Sequence, residues 1–218
     1  TRGMSSAASD VYKRQTPYNA TITIYPSPYE GTLRRCNTSD RQFYVYLPED
    51  YSEVGSSYPA MFSLHGYTST ALTNMSYTGF MKQADINDFV VIYPQGLVHE
   101  TKGGTHWNTD EIGPGNSVNS IEFLESVLDW VGQNYNIDLN RFYSAGMSNG
   151  GFMSYHLACN ITSKISAIAS VTGSMSVFSY DNCNAQPTSV MQIHGAVDTV
   201  VPYDGTVSAC LLYTSPSP

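Results

Sequence analysis

One serine stands among glycines in Gly146-Met-Ser-Asn-Gly-Gly151. A serine hydroxyl becomes a useful nucleophile only when a base takes its proton during attack and a carboxylate holds that base in the right tautomer. Gly-x-Ser-x-Gly alone is a weak signal, because an ordinary glycine-rich turn also produces it. Context sharpens it. The run Arg141–Ala145 reads as a strand and Phe152–Ala158 as a helix, so Ser148 falls where strand turns abruptly into helix and the hydroxyl is lifted clear of the sheet. Glycines on both sides suit the close approach of the two backbones.

Two further stretches follow in an informative order. Ser63–Thr70, "SLHGYTST", ends a strand in a loop whose amides can face an oxyanion. Gln192–Gly205, "QIHGAVDTVVPYDG", ends a later strand in an aspartate. Nucleophile before acid is the α/β-hydrolase order, in which the histidine comes last. Asp198 is the candidate orienter, with a turn-capping role as the competing reading; Asp204 sits in "PYDG", a turn signature. The oxyanion donors are the amides of Asn149, which follows the nucleophile, and Tyr67; Thr68 beside it is a candidate substrate contact.

None of the five histidines follows Asp198. His65 and His194 end core strands ahead of the acid, and His156 lies two helical turns past the serine. His99 and His106 sit in the loop region after "YPQG", too sparsely accompanied to read as a zinc site. No metal and no cofactor is expected. The base is therefore expected downstream of Ala209, in a loop after one more strand, and the chain as given is expected to be catalytically crippled.

Short apolar runs recur between turn signals at Gln42–Leu47, Ala60–Leu64, Phe89–Tyr93, Phe142–Ala145, Ile165–Val171 and Val190–His194. Between two of them, Asn119–Tyr135 carries Ile121, Leu124, Val127, Leu128, Val131 and Tyr135 at helical spacing, with Asn119 and Glu122 suited to its start. Strands alternating with helices predict a mostly parallel sheet covered on both faces, with the functional loops at the carboxyl ends of the strands. Both "HG" and "GMSNGG" fall there.

The ends differ from the rest. Ser5–Gln15, "SSAASDVYKRQ", and Cys210–Pro218, "CLLYTSPSP", resemble translated transposase-adaptor DNA of sequencing libraries, so residues 1–15 and 210–218 read as non-native and 16–209 as one incomplete catalytic domain. The whole chain of 218 residues carries a net charge of −8 and is 41% hydrophobic, a globular composition. Without the ends, seven basic residues face seventeen acidic ones, a net of −10. Such a field disfavours nucleic acid and anionic membrane as partners, and no apolar stretch is long enough to span a bilayer. Of the cysteines, Cys159 and Cys183 are placed so that one disulfide could bridge them in an exported protein, two free buried thiols being the alternative.

Taken together, "YPAMFSLHGYTST", "VVIYPQG", "HWN", "NRFYSAGMSNGGFMSYHLAC", "ISAIASVTGSM" and "QIHGAVDTVVPYDG" resemble the polyhydroxybutyrate depolymerase and feruloyl or acetylxylan esterase family of secreted serine hydrolases, from about Gln42 to Gly205. The resemblance implies a cofactor-free, extracellular esterase acting on a polyester or on feruloyl or acetyl esters of plant polysaccharide. A serine peptidase and a catalytically inactive binding domain on the same fold are the alternatives. Relatives carry paired aspartates where this chain has Asn119 and Ser120, which puts an acid-dependent loop contact there in doubt. Trp107, in the family's "WN", either stacks on substrate or packs on the core.

Overall fold

The computed structural model describes residues 20–204, with 111, 114 and 185 excepted. Ten strands and five helices alternate along it: β1 (Thr21–Tyr25), β2 (Thr32–Asn37), β3 (Gln42–Leu47), β4 (Tyr58–Leu64), α1 (Ala71–Thr78), α2 (Phe80–Asn87), β5 (Val90–Pro94), β6 (Leu97–Val98), β7 (Thr105–His106), α3 (Ser120–Asn134), β8 (Ile137–Met147), α4 (Asn149–Asn160), β9 (Ala167–Val171), α5 (Val177–Asp181) and β10 (Ser189–Ile193). Eight strands form one sheet in the order β1-β2-β3-β5-β4-β8-β9-β10. The pairs from β5 to β10 are parallel and those from β1 to β5 antiparallel. The parallel half follows from the apolar runs. Of the antiparallel strands β3 matches the run Gln42–Leu47, whereas β1 and β2 have no counterpart, because β1 is mostly exposed and β2 contains Arg34 and Arg35, so neither shows an apolar run.

Strand periodicity builds two cores. On β3, Phe43, Val45 and Leu47 face one layer while Tyr44 and Tyr46 face the other; on β5, Val90 and Ile92 are separated in the same way from Val91 and Tyr93. The first layer is completed by the buried stripe of α3 (Phe123, Leu124, Val127, Leu128, Val131) and by Met153 and Leu157 of α4. The second is completed by Ala71 and Met75 of α1 and Met81 and Ala84 of α2. The expected helix start is present: Asn119 Oδ1 accepts from the Glu122 amide at 3.0 Å, and Asn119 Nδ2 donates to Glu122 at 3.1 Å. Among the described residues, no helix is long and apolar enough to cross a membrane.

Candidate active site

The serine sits at the join of β8 and α4, in a backbone conformation that L-residues avoid, with φ 52° and ψ −120°. Its amide donates to the Val171 carbonyl at 2.8 Å, carrying the β8–β9 ladder one residue past the strand, while its carbonyl accepts from Gly151 and Phe152 and opens the helix. Thr70, Asn119 and Ser176 each spend a side-chain oxygen capping a helix; Ser148 occupies the same position on α4 without doing so. The turn is possible only because the backbones nearly touch. A Cβ on Gly146 would lie 2.3 Å from the Gly150 carbonyl, and one on Gly150 would lie 2.3 Å from the Leu64 oxygen.

The loop after β4 passes beside the nucleophile: a Cβ at Gly66 would lie 3.7 Å from Ser148 Cβ. Tyr67, the next residue, lines the same cleft as Ser148, and the Asn149 amide is at the first helical position of α4, where no carbonyl within the helix can accept it. Thr68 takes a positive φ of 62°, and its amide donates to Thr105 at 2.8 Å. A cleft of about 520 Å³ opens here, lined by Ser148, Asn149, Tyr67, His106 and Phe152, with Val200 reaching in from the loop after β10.

Asp198 lies on that loop. Its Oδ1 accepts from the Val200 and Val201 amides, both at 2.9 Å. The Val201 and Val200 donors hold the carboxyl below the usual carboxylate range. The group is thus ionised near neutrality. Asp204 falls in a turn six residues on.

A family model named Esterase, described as "Putative esterase", matches residues 37–191. The chain belongs to that family. Over 170 residues it is 31% identical to the "Bifunctional acetylxylan esterase/xylanase" of Neocallimastix patriciarum, covering 78% of this chain and 23% of the relative. Over 173 residues it is 26% identical to the "Probable feruloyl esterase C" of Aspergillus niger, covering 77% of this chain and 58% of that one. The chain therefore spans less than two thirds of either relative's length. The solved acetyl xylan esterase of Aspergillus awamori superposes with a TM-score of 0.62 at 14% identity, covering 84% of this chain and 75% of that one, and shares the α/β-hydrolase fold.

In this esterase-family chain all five histidines are described, and hydrogen bonds account for most of their nitrogens. His65 Nδ1 lies 2.8 Å from the Gly66 carbonyl and its Nε2 accepts from the Gly96 amide at 2.9 Å; burial pushes the ring down to about 4, so it stays neutral and braces two loops. His156 is buried against Ser179 at 2.7 Å, also pushed down to about 4 by burial. His194 lies between Gln192 and Val201. The rings of His99 and His106 lie tilted, 4.7 Å apart, on the cleft wall, with His106 Nδ1 3.1 Å from the Leu97 carbonyl. Among the described residues, no three His, Cys, Asp or Glu side chains are grouped to hold a metal ion.

Trp107 is 1% exposed; its indole donates to the His65 carbonyl at 2.8 Å and its ring lies 4.8 Å from the His65 ring. The sequence reading missed what holds it. Asn149 Oδ1 accepts from the Trp107 amide at 2.7 Å, and Asn149 Nδ2 donates to the Trp107 carbonyl at 2.9 Å, so the residue after the nucleophile clamps the loop that walls the cleft. Ser120, the first residue of α3, holds the same loop through a neutral contact, accepting from the Asn108 amide at 2.9 Å. Sequence points to Asn149 for its amide alone; the partner of its side chain lies in the "WN" motif, which sequence spacing does not connect to the elbow. Cys159, at the end of α4, is disulfide-bonded to Cys183, with Cα atoms 4.7 Å apart.

Proposed function

We propose that the protein is a serine carboxylic-ester hydrolase acting on acetyl or feruloyl esters of plant polysaccharide through an acyl-enzyme, without a cofactor. The observation that carries the reading is Ser148: a strained serine that caps nothing, at a strand-to-helix elbow lining a cleft, in a chain of the Esterase family. Oγ attacks the ester carbonyl as a base takes its proton, and the amides of Asn149 and Tyr67 receive the oxyanion. The base then gives the proton to the departing alcohol oxygen, leaving Ser148 acylated. A water, deprotonated by the same base, attacks the acyl carbon and releases the acid. Asp198 orients the base and stabilises its charged form. The base itself is a histidine of the natural continuation beyond Ala209, with residues 16–209 the native part of the chain. The disulfide and the names of the relatives support an extracellular setting.

The test is the natural full-length chain assayed on acetylated xylan, methyl ferulate, polyhydroxybutyrate film and a prolyl-peptide reporter. Cleavage of the first or second, abolished by Ser148→Ala, is the expected result. Clearance of film alone moves the assignment to polyesters. Peptide cleavage with all esters untouched, or tight glycan binding without turnover, overturns it. The 218-residue chain should turn over aryl esters near background, a deficit on the order of a million-fold for a lost triad member. A native reading frame without a histidine after Ala209 removes the proposed base.

A further inference from the structure

Behind the acid loop a half-buried string of polar groups connects α4 to Asp198. It begins at the Tyr155 hydroxyl, which donates to Gln192 Oε1 at 2.9 Å. The Gln192 amide nitrogen is 2.7 Å from the Gly173 carbonyl, which can only accept, so the amide's two N–H groups point toward Gly173 and toward His194 Nδ1, 2.8 Å away. Nδ1 must therefore carry the lone pair. The other nitrogen agrees: His194 Nε2 is 2.7 Å from the Val201 carbonyl, again an acceptor only, so Nε2 carries the proton. One tautomer satisfies both ends. Beyond it, the Val200 and Val201 amides hold Asp198 Oδ1.

The Asp198 amide also donates to the Gly195 carbonyl at 3.1 Å and the Tyr203 ring lies 5.7 Å from the His194 ring, but the tip of the loop is open to solvent. Val197 is 90% exposed and Val200 70%, and Val201 is the buried apolar residue among its valines. The His194 side chain is 1% exposed. The string also begins near the nucleophile, because Tyr155 is on the helix that Ser148 opens, and a Cβ on Gly173 would lie 2.7 Å from the Ser148 carbonyl.

We infer that His194 is a positioning residue: with its tautomer set by Gln192, its Nε2–H holds the Val201 carbonyl and so fixes the two amides that aim Asp198. This rests on the reading of Asp198 as the group that orients the base. His194 itself does not move the reacting proton. An acid on an exposed loop can orient an imidazole only if its own direction is fixed, and here a neutral histidine tied to the nucleophile's helix supplies that direction.

The first arm of the test uses the 218-residue chain, labelled with ¹⁵N-histidine, and needs no activity. Long-range ¹H–¹⁵N correlation should show His194, assigned by its loss in His194→Gln, with the proton on Nε2. His194→Gln retains a donor near the same place, whereas His194→Phe does not; the Val200 and Val201 amides should keep their hydrogen-exchange protection in the first and lose it in the second. Tyr155→Phe, which leaves the ring in place, should weaken that protection. A proton on Nδ1 in the unmodified chain overturns the proposal, as does unchanged protection in folded His194→Phe.

The second arm uses the natural full-length chain. His194→Phe should lower kcat on the order of 10²-fold, as expected for a misplaced catalytic group, with KM within about twofold and the acid limb of the kcat profile moved to lower pH. His194→Gln should recover most of the rate. Loss of rate equal in both variants overturns the positioning role. Unchanged activity in Asp198→Asn instead removes the orienting role of Asp198, and is told apart from failure of the His194 link by the exchange data of the first arm.

Discussion

The nucleophile and the acid follow β8 and β10, the strands on either side of β9, yet they are held in opposite ways. On the nucleophile side every residue from Gly150 to Cys159 is buried, and positive φ values gather around the serine, at Thr68, Ser148 and Thr172. On the acid side β10 is largely exposed, Gly195 has open space beside it, and hydrogen bonds rather than packing set the loop. The serine is placed by steric exclusion; the aspartate is placed by directed polar contacts. Packing resists any change of volume, whereas a hydrogen-bonded loop resists only the loss of particular donors.

A matched pair of glycine substitutions should break this comparison if it is wrong. Gly150→Ala forces a methyl against the backbone of Leu64, where nothing can give, and should cost more than about 3 kcal/mol in urea unfolding or prevent folding. Gly195→Ala meets only Asp198 Cβ at 4.0 Å and should stay within about 0.5 kcal/mol. Similar losses in both would mean that the acid loop is packed as tightly as the elbow.

The next effect is set by acid. Burial pushes His65 and His156 down to about 4. The unfolded chain, with an ordinary histidine value near ~6.5, binds more protons below that pH, so stability should fall as pH drops from about 6.5 to about 4, by about 3 kcal/mol for each histidine. His156→Gln should remove about half of this slope, measured as urea midpoints across that window. An unchanged slope would show that His156 is not desolvated in the folded chain.

What was legible in the sequence follows the same division. The strands of the parallel half, the α3 stripe and the elbow were readable, because burial writes apolar runs at fixed periods and close approach writes glycines. β1 and β2 were not, since Ile22 and Ile24 of β1 face solvent and obey no core pattern, and β2 carries Arg34 and Arg35. At the site, Ser148 could be read from its neighbours in sequence. The Asn149–Trp107 clamp and the Tyr155–Gln192–His194 string could not, because each joins residues far apart in the chain through side chains whose types are common everywhere.

The disulfide ties the end of α4 to the segment that leads into β10, bridging the two regimes covalently. Cys159 and Cys183 are 24 residues apart in sequence, and closing such a loop in the unfolded chain is worth about 3 kcal/mol. Replacing both by alanine should lower stability by about that amount. Exchange protection should fall first in the β10 strand, which has one ladder partner among the described residues, and last in β8, which has two. Uniform loss across both strands would mean that they open as one unit.

The smallest expected effect is a gain. A serine at φ 52° and ψ −120° stores strain of the order of 1–3 kcal/mol, which glycine relieves because it has no Cβ. Against that, glycine adds about 0.5–1 kcal/mol of unfolded-state entropy, so Ser148→Gly should be more stable than the parent by roughly 1 kcal/mol. Ser148→Ala keeps the Cβ and with it the strain, so it should show little or no gain; that difference separates backbone relief from mere loss of the hydroxyl. Asp198 is not among the positive-φ residues, so Asp198→Gly has no such strain to release and should gain nothing. If Ser148→Gly and Ser148→Ala unfold at the same urea concentration, the elbow is unstrained, and the contrast between a serine held by force and an acid held by hydrogen bonds fails at its centre.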